Sequence, residues 1–586
     1  MRRLRWIIVL TGLALAIGAG LWLVDRTIEG ILLTQVDAYL RARTLALVHA
    51  REGTALTIEL PVLNLNLVRR RLVLERVRIH YLETAGGRTQ EFAGDAPRVT
   101  VTGVDLTDAI WHRNFRLGGV SIDAPVLRHL VAGPADSAPG ERQPGDTIPL
   151  TLPAADSLLY GVVAAWLPDA VRGGRIGRVE VKNASLASMQ VKGKAVTFDS
   201  SAGLSLSMRG LQLDSTRHRI FERARLTVGT LLHTAQDGED SLLVRDAEVS
   251  ITPDDTAFSL ASLRTGPPAG GHALAIHGIR RSHARRMLTI DSVRYAPPVP
   301  DTTFFRVAPP RSARIDFAAR DIRVVGLRQE NLRKRRLTAG GVWIAGLTLN
   351  VLADRRVPGV PKRRALWTTR FAELNWVVGA DSAIVDSATV RYAEWPPGVP
   401  RPASVVFDRI RLRLLHATND TAVSDSLPLV IHGQGRLLGE APFETTIQVH
   451  VGPGPLRLAM SGQVGAMALE RFNSWAIPGS GVEITQGALD HVRFDFTTAA
   501  GRSTGRYRAQ WRDLDLRLVD PATGKQNFGR KLKSIMARSI ARDDNLPDEE
   551  GKLQGEKIDY RVQPTDTFWG LIWRSLRSGM MRAVKG

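Results

Sequence analysis

Leu72-Val73-Leu74-Glu75-Arg76-Val77-Arg78-Ile79 decides how the chain is read. Its apolar positions follow the rhythm h-x-h-x-x-h-x-h, with Leu72, Leu74, Val77 and Ile79 as h. The rhythm returns at Val99, Val101, Val104 and Leu106, and at Leu206, Met208, Leu211 and Leu213. Further copies are Leu288, Ile290, Val293, Tyr295 and Val405, Phe407, Ile410, Leu412. A period of two marks a strand with one apolar face. The extra residue in the middle shifts the alternation by one, so each strand needs a bulge or bend to keep its apolar side on one face. The residues at the shift are often polar or small: Glu75-Arg76, Thr102-Gly103, Arg209-Gly210, Asp291-Ser292 and Asp408-Arg409. Many similar bent strands in series predict one long repetitive sheet rather than a compact catalytic domain.

Working outward, residues 56–131 and 176–519 carry strand texture. It is broken by turn-rich stretches near 266–271, 296–300, 395–402 and 451–455 that read as loops between hairpins. Residues 133–149 are rich in Pro, Gly, Asp and Ser and predict a loop. Residues 154–167 predict a helix that could plug or flank the sheet. From residue 524 the spacing turns helical, an acidic stretch follows at 543–550, and a last helix is expected at 567–585.

At the other end, residues 6–24 are uncharged and mostly apolar. At ~1.5 Å per residue they span roughly 28 Å, about one hydrocarbon core. Arg2, Arg3 and Arg5 precede them, so the positive-inside rule places residues 1–5 in the cytoplasm and the body across the membrane. A cleaved signal peptide is the alternative, but Ala14-Leu15-Ala16 lies inside the apolar run rather than after it. Residues 25–55 read as an amphipathic helix leading from the anchor to the first strand.

The 586-residue chain carries 79 Lys plus Arg against 58 Asp plus Glu, a net of +21. That excess could attract lipid headgroups or nucleic acid, or could be an Arg-rich bias spread over solvent-facing strand positions. The basic residues alternate with apolar ones and form no dense patch. No zinc-finger, RNA-recognition or P-loop pattern accompanies them, so no nucleic-acid partner is expected. The absence of cysteine rules out disulfides, thiolate metal sites and a cysteine nucleophile.

Met460 to Asp520, MSGQVGAMALERFNSWAIPGSGVEITQGALDHVRFDFTTAAGRSTGRYRAQWRDLDLRLVD, adds a more specific signal. With the anchor and the bent-strand rhythm, it resembles the AsmA-like proteins of the bacterial envelope, the AsmA/TamB-type repeating β-groove superfamily. The matching features are a Gly-bearing strand at 461–464, a short helical step at 466–475, a "GxxITxGxLDxxxFxF" pattern at 481–496 and a final strand at 507–518. The resemblance implies a mainly β, long antiparallel, taco-like groove with an apolar interior, an N-terminal transmembrane helix and C-terminal amphipathic helices. It divides the body into a repetitive β-groove at 56–452, a C-terminal AsmA-like segment at 453–523 and an amphipathic tail at 524–586. It also implies movement of phospholipid between inner and outer membranes, in support of outer-membrane integrity. Roughly 30 strands ~4.8 Å apart would extend about 140 Å.

The same sequence offers little for enzymatic chemistry. His272, His277 and His283 lack partnered carboxylates, so neither metal nor other cofactor is expected. Gly433-Gln434-Gly435 has the wrong spacing for a dinucleotide loop. Asp513 and Asp515 alternate with leucines, as on a solvated strand face. There is no G-x-S-x-G elbow and no H-E-x-x-H helix. The leading expectation is therefore a non-enzymatic lipid conduit lined by Leu72, Leu74, Val99, Val101, Leu288, Ile290, Phe407 and Leu412. A non-transporting envelope scaffold or outer-membrane assembly factor gives the same alternation and is the alternative. In the last helix Phe568, Trp569, Ile572, Trp573 and Leu576 share a stripe that would meet a membrane, an envelope partner, or the open end of the sheet.

Overall fold

The computed structural model describes residues 54–104, 114–133, 173–266, 271–526, 542–549, 553 and 557–584, with short breaks inside those ranges. The expected anchor at 6–24, the connecting helix at 25–55 and the helix at 154–167 lie outside the described residues, apart from the start of the first strand. Among the described residues no helix is long and apolar enough to cross a membrane. The chain divides into two compact units, Met1–Gly266 and Pro267–Gly586, each mainly β.

In the first unit β1 (Thr54–Glu59) and β2 (Val62–Asn66) lie end to end along β3 (Arg71–Ala85). β4 (Arg88–Thr102) pairs with β3, and β5 (Asn114–Asp123) and β6 (Val126–Gly133) lie end to end along β4. Both then run beside β7 (Gly173–Lys192). β8 (Ala195–Leu213), β9 (Arg223–Thr234), β10 (Ser241–Ile251) and β11 (Thr256–Thr265) follow as a meander.

The second unit repeats the plan with β12 (Ala273–Ser282), β13 (Met287–Ala296), α1 (Asp301–Val307), β14 (Ala313–Val325) and β15 (Arg336–Asp354). After α2 (Trp367–Ala372) come β16 (Val377–Trp395), β17 (Ala403–Thr418), α3 (Thr421–Ser424), β18 (Leu429–Leu437), β19 (Ala441–Val449) and β20 (Leu458–Val464). Residues 460–520 then form strand, helical step and two long strands. They comprise the end of β20, the two-residue β21 (Met467–Ala468), a 3-10 turn (Leu469–Phe472), α4 (Asn473–Ser480), β22 (Val482–Ala499) and β23 (Arg502–Leu518). β24 (Lys557–Arg561) pairs with β23, and α5 (Phe568–Val584) closes the chain.

The pairing corrects one expectation. The sheets are mixed, because β5 and β6 run parallel to β7, and β15 runs parallel to β16. A parallel neighbour requires a crossover of about a dozen residues or more. Residues 134–172 and 355–376, which precede β7 and β16, supply that length. Period-two alternation carries no strand direction, so the antiparallel expectation had no support at those joints.

The bends fall where the rhythm slips. Arg76, Gly103, Gly210 and Arg409 all have positive φ, at 57°, 63°, 64° and 50°. Asp291 keeps its own strand regular but faces Gly278, whose φ is 67°. The bends also line up from strand to strand. Arg76 and Ala124 (φ 45°) face Pro97 from its two sides, and Ala124 faces Asn183 (φ 51°). Asn183 and Gly203 flank the register shift between β7 and β8, and Gly229 stands between Gly203 and Asp246 (φ 51°). Left-handed backbone costs an L-residue roughly 1–2 kcal/mol, so repeated left-handed positions in register form a crease that the sheet imposes as a unit.

Candidate functional site

Because each strand bends at the same level, apolar residues from successive strands fall into register as rows. In the first unit one row runs Leu72, Val101, Val120, Val179, Met208, Ala224, Ile251. The next runs Leu74, Val99, Ile122, Val181, Leu206, Leu226, Val249, Phe258. The second unit has its own pair. Leu288, Val324, Val342, Ala383, Leu414, Ile431, Ile447, Met460 and Phe496 form one row. Ile290, Ile322, Ile344, Val385 and Leu412 form the other, which continues through Gly433. At ~4.8 Å between strands, each row presents a continuous strip of hydrocarbon.

Seven of the eight expected lining residues lie on these rows. Leu72 faces Val101 and Leu74 faces Val99 as direct cross-strand pairs. Leu288, Ile290 and Leu412 belong to the second unit's rows. All seven are half-buried, neither enclosed nor fully open. Phe407 differs. It sits beyond the bend, with its ring 5.7 Å from Phe443 in an edge-to-face contact, and packs against two buried clusters. The sequence reading missed the row members outside the quoted copies, such as Ile122, Leu226 and Val249. Alternation on their own strands was the available signal.

Beyond the crease, past a level that still carries Ile79, Leu127, Leu186 and Leu231, the same face of the first unit bears a row with polar members. Phe92, His129, Ser188, Asp199 and His233 are in register on β4, β6, β7, β8 and β9. Ser188 Oγ lies 3.2 Å from His129 Nδ1, and the Gln90 amide nitrogen lies 2.9 Å from His129 Nε2. Asp199 Oδ1 lies 2.5 Å from His233 Nδ1. Along β3, Leu74 and Tyr81 mark the levels of the nearer apolar row and this polar row, at most about 23 Å apart. The first unit contains no helix among the described residues.

The last strands of the second unit are covered instead. α5 packs on β23 and β24, burying Phe568, Leu571, Ile572, Ser575, Gly579 and Ala583. These fall at i, i+3, i+4, i+7, i+11 and i+15, one helical face. Beneath them lie Ile558, Tyr507, Ala509, Met460 and Phe496. Burial pushes the Tyr507 phenol well above its ordinary pKa. Trp367 of α2 meets Phe568 edge-on at 5.4 Å. Of the five expected contact residues, Phe568 and Ile572 are spent on this internal core, and Leu576 packs at its margin. Trp569 and Trp573 point outward, 63% and 45% exposed.

Two of the residues that could have carried chemistry, His272 and Asp515, have structural partners. His272 Nε2 accepts the Ile315 N–H at 3.0 Å and stacks on Tyr295 at 4.9 Å. Burial, then the Arg314 charge, lowers its pKa. Asp515 accepts a 2.6 Å bond from the Thr485 hydroxyl, and Asp513 sits at a bend with φ 54°. Among the described residues, no group of His, Asp and Glu is placed to hold a metal ion. Comparison with protein-family models and with curated proteins finds no match to this chain.

Proposed function

We propose that this protein carries phospholipid along its apolar rows, as a periplasmic body held to the bacterial inner membrane by residues 6–24, and so supports outer-membrane integrity. The observation that carries the reading is the in-register apolar rows, half-buried over most of their strands, with Met208, Ala224 and Val385 enclosed. Transferring acyl chains from water to such a strip is favourable by ~0.8 kcal/mol per buried CH₂. The polar row of His129, Ser188, Asp199 and His233 on the same face offers hydrogen bonds to a headgroup or glycerol ester, while the rows hold the chains. Neither enzymatic chemistry nor a cofactor is part of this reading. The filled core under α5 favours a second reading, an anchored scaffold that only contacts envelope partners.

The test is extraction of the full chain in detergent, followed by mass spectrometry of bound lipid. The expected result is near-stoichiometric phospholipid, reduced severalfold in Ile290→Asp with the fold intact, since a carboxylate on an apolar strip has no solvating partner. Lipid-free protein, or lipid unchanged by Ile290→Asp and by Leu226→Asp, would reject transport in favour of the scaffold.

A further inference from the structure

The opposite face of the second unit is hollowed. An open depression of about 810 Å³ spans β16 to β22. It is lined by Arg409 and Arg411 of β17, Arg436 of β18, and His491 and Arg493 of β22. Register places it on the face away from the apolar rows. Arg411 pairs with Gln434, one residue out of step with the Leu412–Gly433 pair, and the line continues through Glu444 and Gln463 to Arg493. Two of its lining glycines are closely approached: a Cβ at Gly435 would stand 2.9 Å from the Asp408 carbonyl oxygen, and one at Gly465 would stand 2.8 Å from Pro442 Cγ.

The depression gathers several cations without carboxylate partners. Other surface arginines of this unit are paired, Arg471–Glu440 at 2.9 Å, Arg512–Asp490 at 2.8 Å and Arg502–Asp559 at 2.7 Å, while Arg413, outside the lining, is not paired among the described residues. Among the described residues, Arg409, Arg411 and Arg493 have neither an ion pair nor a side-chain hydrogen bond. Arg436 donates only to the Glu440 carbonyl, at 3.1 Å. The two carboxylates in the lining are otherwise engaged, Asp386 by Trp343 Nε1 at 2.7 Å and Glu444 by the Gln463 amide at 3.2 Å. Four guanidiniums thus line one concavity with all but one of their donors free of a protein partner. Each presents five N–H groups in a fork that matches phosphate bidentately, and the volume lies in the range of small-molecule sites.

We propose that this depression binds a small ligand carrying two or more phosphate charges, either a lipid headgroup or a free phosphate ester. The site stands apart from the lipid-carrying reading, because it uses the opposite face and other residues. The test uses the full chain in an uncharged detergent at low ionic strength. Calorimetry follows inorganic pyrophosphate, and a parallel arm follows phosphatidic acid against phosphatidylcholine in mixed micelles. The expected result is saturable pyrophosphate binding, weakened tenfold or more in the double variant Arg411→Gln/Arg493→Gln. Arg413→Gln, on the same face of β17 but outside the lining, should leave it within twofold. Arg411→Lys keeps the charge, loses the fork, and should fall between. Binding of phosphatidic acid without pyrophosphate, with the same dependence on the variants, would support a headgroup ligand. Absence of both, or equal weakening by Arg413→Gln, would overturn the proposal. Ile290→Asp should leave pyrophosphate binding unchanged, which separates this site's failure from that of the apolar rows.

Discussion

The row of Leu74, Val99, Ile122, Val181, Leu206 and Leu226 in the first unit and the row of Ile431, Ile447, Met460 and Phe496 in the second obey the same rule. Each takes every second residue from bent strands in register. Their surroundings differ. The first row stays half-buried in a unit without a helix among its described residues, whereas the second belongs to a core that includes Leu571, Ile558 and Ala583, all fully buried. Alternation therefore decides which face is apolar, and a separate docking event decides whether that face is closed. Within one chain, the helix-covered rows are built for stability and the half-buried rows have surface left for a ligand.

Removing the cover is the strongest way to break that contrast. Truncation after Pro564 deletes Phe568, Leu571 and Ile572, each worth ~1.5–3 kcal/mol of burial, or on the order of 5–9 kcal/mol together. A typical domain has about 5–15 kcal/mol of stability, so the second unit should lose its cooperative melt in calorimetry. An unchanged transition would mean that α5 is an attachment rather than part of the core.

Two charge insertions sharpen the comparison at single positions. Phe407 packs edge-on against Phe443 within buried clusters, so Phe407→Asp should cost about 3–5 kcal/mol in denaturant unfolding. Ile290 is half-buried and lies outside those clusters, although Ile344, Val385 and Leu412 farther along its row join one of them, so Ile290→Asp should cost under about 1.5 kcal/mol. Equal costs would erase the distinction between a covered and an open apolar face.

The sequence and the structure agree best where the chemistry is local. The slips at Glu75-Arg76, Thr102-Gly103, Arg209-Gly210 and Asp408-Arg409 each became a left-handed residue, because a one-residue shift in a period-two pattern has few backbone solutions. Asp291-Ser292 shows the limit. The left-handed residue went to Gly278 on the neighbouring strand, since either partner of a pair can carry the bend. The parallel joints at β7 and β16 were illegible because side-chain alternation is the same for either strand direction. The depression around Arg411 and Arg493 was hidden for a related reason. Alternating arginines read as a solvated face until register brings together cations more than eighty residues apart in sequence.

Gly579 offers a smaller effect with an unexpected sign. In an exposed helix interior, Gly→Ala gains ~1 kcal/mol. At Gly579, however, a Cβ would stand 2.5 Å from Tyr507 Cβ and 3.1 Å from Ile558 Cγ1. α5 approaches the sheet so closely there that only a hydrogen fits. Gly579→Ala should therefore destabilise the second unit by about 1–3 kcal/mol, the usual cost of overpacking. A rise in melting temperature would show that the helix sits farther from β23 than this contact requires.

The outer face of α5 should give the smallest change in stability. Trp569 and Trp573 are one turn apart, exposed at 63% and 45%, and followed one turn later by exposed Arg577. Side chains that contribute little to the core contribute little to the fold, so Trp569→Ser/Trp573→Ser should alter unfolding free energy by less than about 0.5 kcal/mol per site. The same rings suit an interface that is apolar on one side and wet on the other. Binding of the full chain to liposomes containing anionic lipid, with the expected anchor at residues 6–24 shielded in nanodiscs, should accordingly fall severalfold in the double variant. If binding is unaffected while the fold holds, the exposed tryptophans are incidental and α5 serves only to close the core. If the fold is lost instead, its outer face is no freer than its inner one, and the contrast between covered and open apolar surface would have to be redrawn at this helix.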